Sequence, residues 1–182
     1  MVPGNGSAQG RAPLTRPLDP EPLLRVLFDH KVSLIVVGGY AVAAHGHVRA
    51  TKDIDICPDP ADGNLRRLAA ALVELEAEPL GLGEFAAAGE FVLTPDLEGL
   101  ETGGNWTLMT KHGRLDVMQH LQGLGEGGGG WRELVGHAVT RRFLGHECLF
   151  CGYEDLLRMK RGAGRPQDTI DVESLKAARS EV

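Results

Sequence analysis

The chain is poor in the features that mark secreted, membrane-spanning or nucleic-acid-coating proteins. Only three of its 182 residues are cysteine. So small and odd a count gives no disulfide framework, and it points to a reducing, cytoplasmic setting. No apolar run reaches the roughly 18 residues a membrane-spanning helix needs. The N-terminus lacks the basic-then-apolar layout of a secretory signal. Positive charge is in deficit: 19 Lys and Arg face 25 Asp and Glu, a formal charge of −6. That balance argues against non-specific coating of nucleic acid, although a local basic groove fits within it. Six of the eight residues at 123–130 are glycine. They form no Gly-x-x-x-x-Gly-Lys loop, and no Gly-x-Gly-x-x-Gly opens a helix after a strand. This run reads as a mobile connector, or as a loop that orders when an acceptor binds.

What is present suffices for a core. Hydrophobic residues make up 42% of the chain, and the length suits one domain. Residues 1–21, rich in Gly, Pro, Ala and Arg and without periodicity, read as a disordered tail. Residues 22–182 read as one α/β domain, with 152–182 as a helical C-terminal end.

The richest stretch is 34–56. Leu34, Ile35, Val36 and Val37 form the kind of apolar run that makes a buried strand. Gly38 and Gly39 follow, where the backbone can turn and approach a ligand because no Cβ intervenes. A short helix is expected over 40–45. Then comes Lys52-Asp53-Ile54-Asp55-Ile56. On a strand, the period of two puts Asp53 and Asp55 on one face and the isoleucines on the other. Two carboxylates about 4 Å apart repel by about 1 kcal/mol in water and about 4 kcal/mol at an effective dielectric near 20. A divalent cation is the usual remedy. Further on, 106–110 and 114–118 read as the arms of a hairpin around Lys111-His112-Gly113. Asp116 lies between Leu115 and Val117 and so points away from the face they cover.

These pieces resemble the signature of the polymerase-beta nucleotidyltransferase superfamily: a Gly-Gly turn, a short helix, then Asp-x-Asp on the next strand. The resemblance implies a nucleotidyltransferase-like mixed β-sheet flanked by helices. It makes Asp53, Asp55 and Asp116 the catalytic, metal-binding acids, holding two Mg²⁺ ions, or Mn²⁺, and makes an NTP such as ATP the substrate. Arg49 and Thr51 precede the acid pair, as Arg and Thr do in abortive-infection type relatives. The Arg49 guanidinium suits phosphate oxygens, or it is a surface arginine. The C-terminal end, with Lys160, Arg165, Pro166, Asp168 and Asp171, is similar to that of the same relatives. The similarity implies that Lys160 contacts the triphosphate and that Asp168 or Asp171 supports the site. Asp168 would otherwise simply cap the last helix. Gly38, Gly39, Arg49, Thr51, Lys160 and Asp168 are the nucleotide-binding set this implies.

The remaining motifs read more plainly. His45 and His47 diverge on a helix end, so a nucleotide contact suits them better than zinc. Cys148 and Cys151 on a strand point to opposite faces and read as packing residues. Helices are expected over 22–30, 64–76, 153–161 and 167–179, and a strand over 147–150. The basic residues Arg158, Lys160, Arg161 and Arg165 favour an RNA end as acceptor, as in toxin relatives, which would bring an antitoxin partner. A protein hydroxyl or a cationic aminoglycoside or lincosamide-like compound are the alternatives. A degenerate domain that binds nucleotide or a partner without catalysis is the reading from another class.

Overall fold

The computed structural model describes residues 16–80, 95–125 and 129–180. Most of the expected tail (1–15), the apolar pieces at 85–88 and 91–93, and the centre of the glycine run (126–128) lie outside the described residues.

Helix α1 spans Pro20–Asp29, with Asp19 at its N-cap and proline in the first turn. It starts two residues before the expected position because Asp19 is already anchored: its N–H donates to the carbonyl of His112 at 2.9 Å. Leu23, Leu24 and Leu27 are fully buried along one face. Strand β1, Leu34–Val36, is buried on both faces. Helix α2 runs Gly38–Ala44, so the two glycines belong to the helix rather than to a separate loop before it. Strand β2, Asp53–Pro58, alternates as expected, with Ile54 and Ile56 fully buried and Asp53 and Asp55 half-buried. Helix α3, Asp62–Glu74, buries Leu65, Leu68 and Leu72. The short β3, Glu78–Pro79, and α4, Leu97–Thr102, follow. Neither element was expected from the sequence. Then come the hairpin strands β4, Asn105–Thr110, and β5, Gly113–Met118. After the single turn α5, Trp131–Leu134, a second hairpin joins β6, Val139–Phe143, to β7, His146–Phe150. Helices α6, Tyr153–Ala163, and α7, Pro166–Ser180, end the described chain.

The seven strands form one sheet in the order β3-β4-β5-β2-β1-β7-β6. It is mixed. Strands β2 and β5 are parallel, as are β1 and β7, and the other four pairings are antiparallel. The central β1 is buried along its whole length, whereas its neighbours β2 and β5 alternate, with one face in the core and the other carrying charged residues. Strand β6 sits at an edge, and its Thr140, Arg141 and Arg142 are exposed. Charged side chains on an edge discourage pairing with other chains. The same polarity hid this strand from a reading based on apolar runs. Among the described residues, no helix is long and apolar enough to cross a membrane.

Candidate active site

The parallel pairing of β2 with β5 builds the site. Its register sets Asp53 opposite Arg114, Ile54 opposite Leu115, Asp55 opposite Asp116 and Ile56 opposite Val117. Directly paired residues point the same way. The isoleucines, leucine and valine therefore share the buried face, and three aspartates and one arginine share the other.

Arg114 is the member that sequence reasoning passed over. Its Nε donates to Asp116 Oδ1 at 3.0 Å and its Nη2 to Asp116 Oδ2 at 2.7 Å. Its Nη1 lies 3.6 Å from Asp53 Oδ2. The available signal was its spacing, two residues before Asp116 and hence on the same strand face. Among the described residues, Asp55 has no comparable ion pair. Burial pushes its carboxyl up to about 6, the nearby charges of Asp53 and Asp116 push the same way, and Lys160 and the Gly39 N–H pull it back only in part.

The two glycines make room for this cluster. Gly38 has φ +60°, and a Cβ there would collide with the Asp55 carboxylate. At Gly39 a Cβ would lie 2.8 Å from Thr51 Oγ1. Thr51 Oγ1 in turn donates to Asp53 Oδ1 at 3.2 Å. The close approach expected of the glycines is thus made by the protein's own carboxylate and hydroxyl.

A second charged network lies on α6 and α7. Lys160 is buried, with its Nζ 2.8 Å from both Asp168 Oδ1 and Asp171 Oδ2. Arg49 reaches across to Asp171 with Nε at 2.8 Å and Nη2 at 3.0 Å. Arg165 donates from its backbone and its guanidinium to Asp168. Asp168 therefore caps the start of α7, in the manner of an N3 acid, and also pairs with Lys160. Asp171 is fully buried. Burial pushes its carboxyl up, but hydrogen bonds from Arg49, Lys160 and Gln167 outweigh that and hold it at about 2.

The expected catalytic and nucleotide-binding set, Gly38, Gly39, Arg49, Thr51, Asp53, Asp55, Asp116, Lys160 and Asp168, lines one cavity of about 590 Å³, with Asp171 just behind it on Lys160 and Arg49. Arg114, Asn105, Met118, His120 and Gln122 are also in its walls. His45 is elsewhere engaged, its Nε2 bonded to the Cys151 carbonyl at 2.8 Å and its ring against Tyr153. That contact ties α2 to the start of α6. The three cysteines are free and buried.

No protein-family model and no curated protein matches the sequence. Solved structures do match the fold. Over 90% of this chain and 99% of the other, it superposes on the crystal structure of the lincosamide antibiotic adenylyltransferase LnuA bound to lincomycin, with TM-score 0.59 and 16% identity. The fold is that of the nucleotidyltransferases. A nucleotidyltransferase-type structure from Thermotoga maritima, TM1012, agrees over 91% of this chain and 96% of its own, with TM-score 0.52 and 16% identity. The antibiotic-resistance factor ANT(2'')-Ia agrees over 87% and 80%, with TM-score 0.51 and 15% identity.

Among the described residues, no group of three or more His, Cys, Asp or Glu side chains is arranged to grip a metal ion as it stands. The chemistry of the donors nonetheless suits one. Three hard carboxylates share one face of the sheet, Asp55 is short of compensating charge, and magnesium prefers oxygen ligands of this kind.

Proposed function

We propose that this chain transfers a nucleoside monophosphate from an NTP, ATP among the candidates, to a hydroxyl of an acceptor. The observation that carries the reading is the register of Asp55 against Asp116, with Asp53 alongside, in a cavity that also holds Arg49 and Lys160. Likeness of fold to nucleotidyltransferases supports it.

Asp53, Asp55 and Asp116 would hold Mg²⁺, two ions in the full site, with Mn²⁺ as a substitute. When bound, the metal lowers the pKa of the acceptor hydroxyl and neutralises the leaving pyrophosphate. Arg49 and Lys160 sit in the cavity with carboxylates as partners, and triphosphate oxygens would replace those partners in part. The acceptor oxygen attacks the α-phosphorus in line. The new P–O bond forms as the bond to pyrophosphate breaks, and Asp116 takes the hydroxyl proton.

For the acceptor, a small hydroxyl-bearing compound of the aminoglycoside or lincosamide kind comes first. The cavity volume falls within the roughly 300–1,000 Å³ of small-ligand sites, and the net acidity suits a cationic substrate. Two of the similar structures are those of a lincosamide antibiotic adenylyltransferase and an antibiotic-resistance factor. An RNA end, with an antitoxin protein in attendance, comes second. The basic C-terminal residues that favoured RNA are largely spent on carboxylates: Arg158 on Asp155, Lys160 and Arg165 on Asp168. Arg161 on α6 and the pair Arg141 and Arg142 on the edge strand are exposed and could meet a polyanion.

Label from α-³²P NTPs, offered with tRNA, with the protein itself and with a panel of aminoglycosides and lincosamides, tests the reading. Label on a drug that needs Mg²⁺ and Asp55 supports it as stated. Label on tRNA puts the RNA acceptor first. Mg²⁺-dependent NTP binding without transfer to any acceptor points to a binding module.

A further inference from the structure

We propose that Arg114 is the resident counter-cation of the aspartate cluster, and that a divalent cation entering the cluster displaces it from Asp116 and Asp53. The inference rests on the metal-dependent reading above.

The geometry is that of a competitor. The guanidinium fork takes both carboxylate oxygens of Asp116, at 3.0 and 2.7 Å, while its third nitrogen lies 3.6 Å from Asp53. Bidentate pairing of this kind is among the stronger charge-assisted contacts. The fork occupies a lone pair on each Asp116 oxygen, and it brings a positive charge next to Asp116 and Asp53 that repels an incoming cation. The position of Arg114 is fixed by the strand register, since Asp53 is its direct partner across β2 and β5. Its far end is not packed in place: the side chain is 39% exposed, so it has solvent to swing into. Three other cations lining the cavity are engaged elsewhere: Lys160 with Asp168 and Asp171, Arg49 with Asp171 and Arg165 with Asp168.

Removing Arg114 should therefore act in two opposite directions. Without metal the acids lose their partner and the fold weakens. With metal the competitor is gone and affinity rises. An arginine that merely supported the strand would weaken both.

The test is Mn²⁺ binding, followed by the electron paramagnetic resonance of the free ion, with thermal unfolding in EDTA alongside. The proteins are the wild type, Arg114→Gln, Arg114→Lys, and Arg66→Gln as a control for loss of one exposed positive charge. The expected result is roughly 3- to 30-fold tighter Mn²⁺ binding by Arg114→Gln, a free-energy change of roughly 0.7–2 kcal/mol, with a lower melting temperature in EDTA. Arg114→Lys keeps the charge but loses the fork. Tighter binding by this variant too separates displacement from simple charge removal, and it answers the same question should Arg114→Gln fail to fold. Arg66→Gln should match the wild type. Equal or weaker Mn²⁺ binding by the Arg114 variants overturns the competition and leaves the nucleotidyl-transfer reading standing. Absence of Mn²⁺ binding by every protein overturns both.

Discussion

Asp55 and Asp116 stand directly opposite each other across the parallel strands β2 and β5. Each is the register partner of the other, and neither can be moved without moving a strand at the centre of the sheet. Asp55 is the less compensated of the two, and burial with two like charges nearby raises its carboxyl to about 6. A carboxyl whose pKa is raised on folding holds its proton more tightly in the folded state. Stability then falls as pH rises from about 4 to about 6, and stays lower above that window. Asp55→Asn should accordingly abolish transfer yet stabilise the fold at pH 7.5, by on the order of 1–3 kcal/mol. Thermal unfolding in EDTA from pH 4 to 8 checks this. The melting temperature of the variant should exceed that of the wild type at pH 7.5 and converge on it at pH 4. A variant less stable at pH 7.5 would count against the electrostatic description of the site.

The network around Asp171 should respond to pH with the opposite sign. Its carboxyl is held at about 2 in the fold. The stabilisation is complete above the ordinary carboxylate range and is lost as pH falls from about 4 towards about 2. Asp171→Asn leaves Arg49 without its carboxylate and Lys160 with Asp168 alone. Removing one partner of a buried pair costs about 3–5 kcal/mol, and the retained Asp168 favours the lower end. At roughly 2–4 °C per kcal/mol for a chain of this size, the melting temperature should drop measurably at pH 7. The gap should narrow below about pH 4 and close only as pH approaches about 2. A gap independent of pH would mean that the contribution of Asp171 is not electrostatic.

Much of this arrangement was legible in the sequence, and the reasons it was legible are the reasons the rest was not. The alternation of Asp53, Ile54, Asp55 and Ile56 fixes which faces the side chains occupy, and the turn at Lys111 and His112 announces the β4–β5 hairpin. Strand register is different. Nothing local fixes the parallel direction of the β5–β2 pairing or sets Arg114 against Asp53. Arg114 therefore reads only as the first residue of a strand. Lys160, Asp168 and Asp171 were picked out by their pattern, yet their mutual pairing, and the reach of Arg49 to Asp171 across 122 positions of sequence, follow only from how α6 and α7 fold back. Strand β6 was missed because its exposed Thr140, Arg141 and Arg142 carry no apolar period.

Gly38 offers a test that separates crowding from backbone strain. Its φ of +60° disfavours any side chain, and a Cβ there would meet the Asp55 carboxylate. Gly145, in the β6–β7 turn, has φ +86° with no atom within 4 Å of its Cβ position. Alanine at either site carries a backbone penalty of about 1–2 kcal/mol. Only Gly38→Ala should also displace Asp55, so transfer should fall by about 100-fold or more there and by less than about threefold in Gly145→Ala, a separation of over 2 kcal/mol in barrier. Initial rates at matched folded fraction decide it. Similar losses in both would show that strain alone is responsible.

The cysteines should be inert in the native protein. Burial pushes Cys57 and Cys151 up to about 12 and Cys148 up to about 11, with Glu133 and Asp155 adding to the effect at Cys57 and Cys151 respectively. Reactivity follows the thiolate, so Ellman's reagent at pH 8 should label none of the three on the timescale of minutes, and all three after denaturation. Rapid labelling of any one in the native protein would contradict its placement in the core.

The most direct measurement of the central claim is pyrophosphate release from NTP with Mg²⁺ and the acceptor panel, comparing the wild type with Asp53→Asn, Asp55→Asn and Asp116→Asn. If the three acids work as one nucleotidyl-transfer site, each variant should lose at least about 100-fold, more than 2.5 kcal/mol of barrier, while remaining folded. Release that persists at the wild-type rate in any one of the three would contradict it.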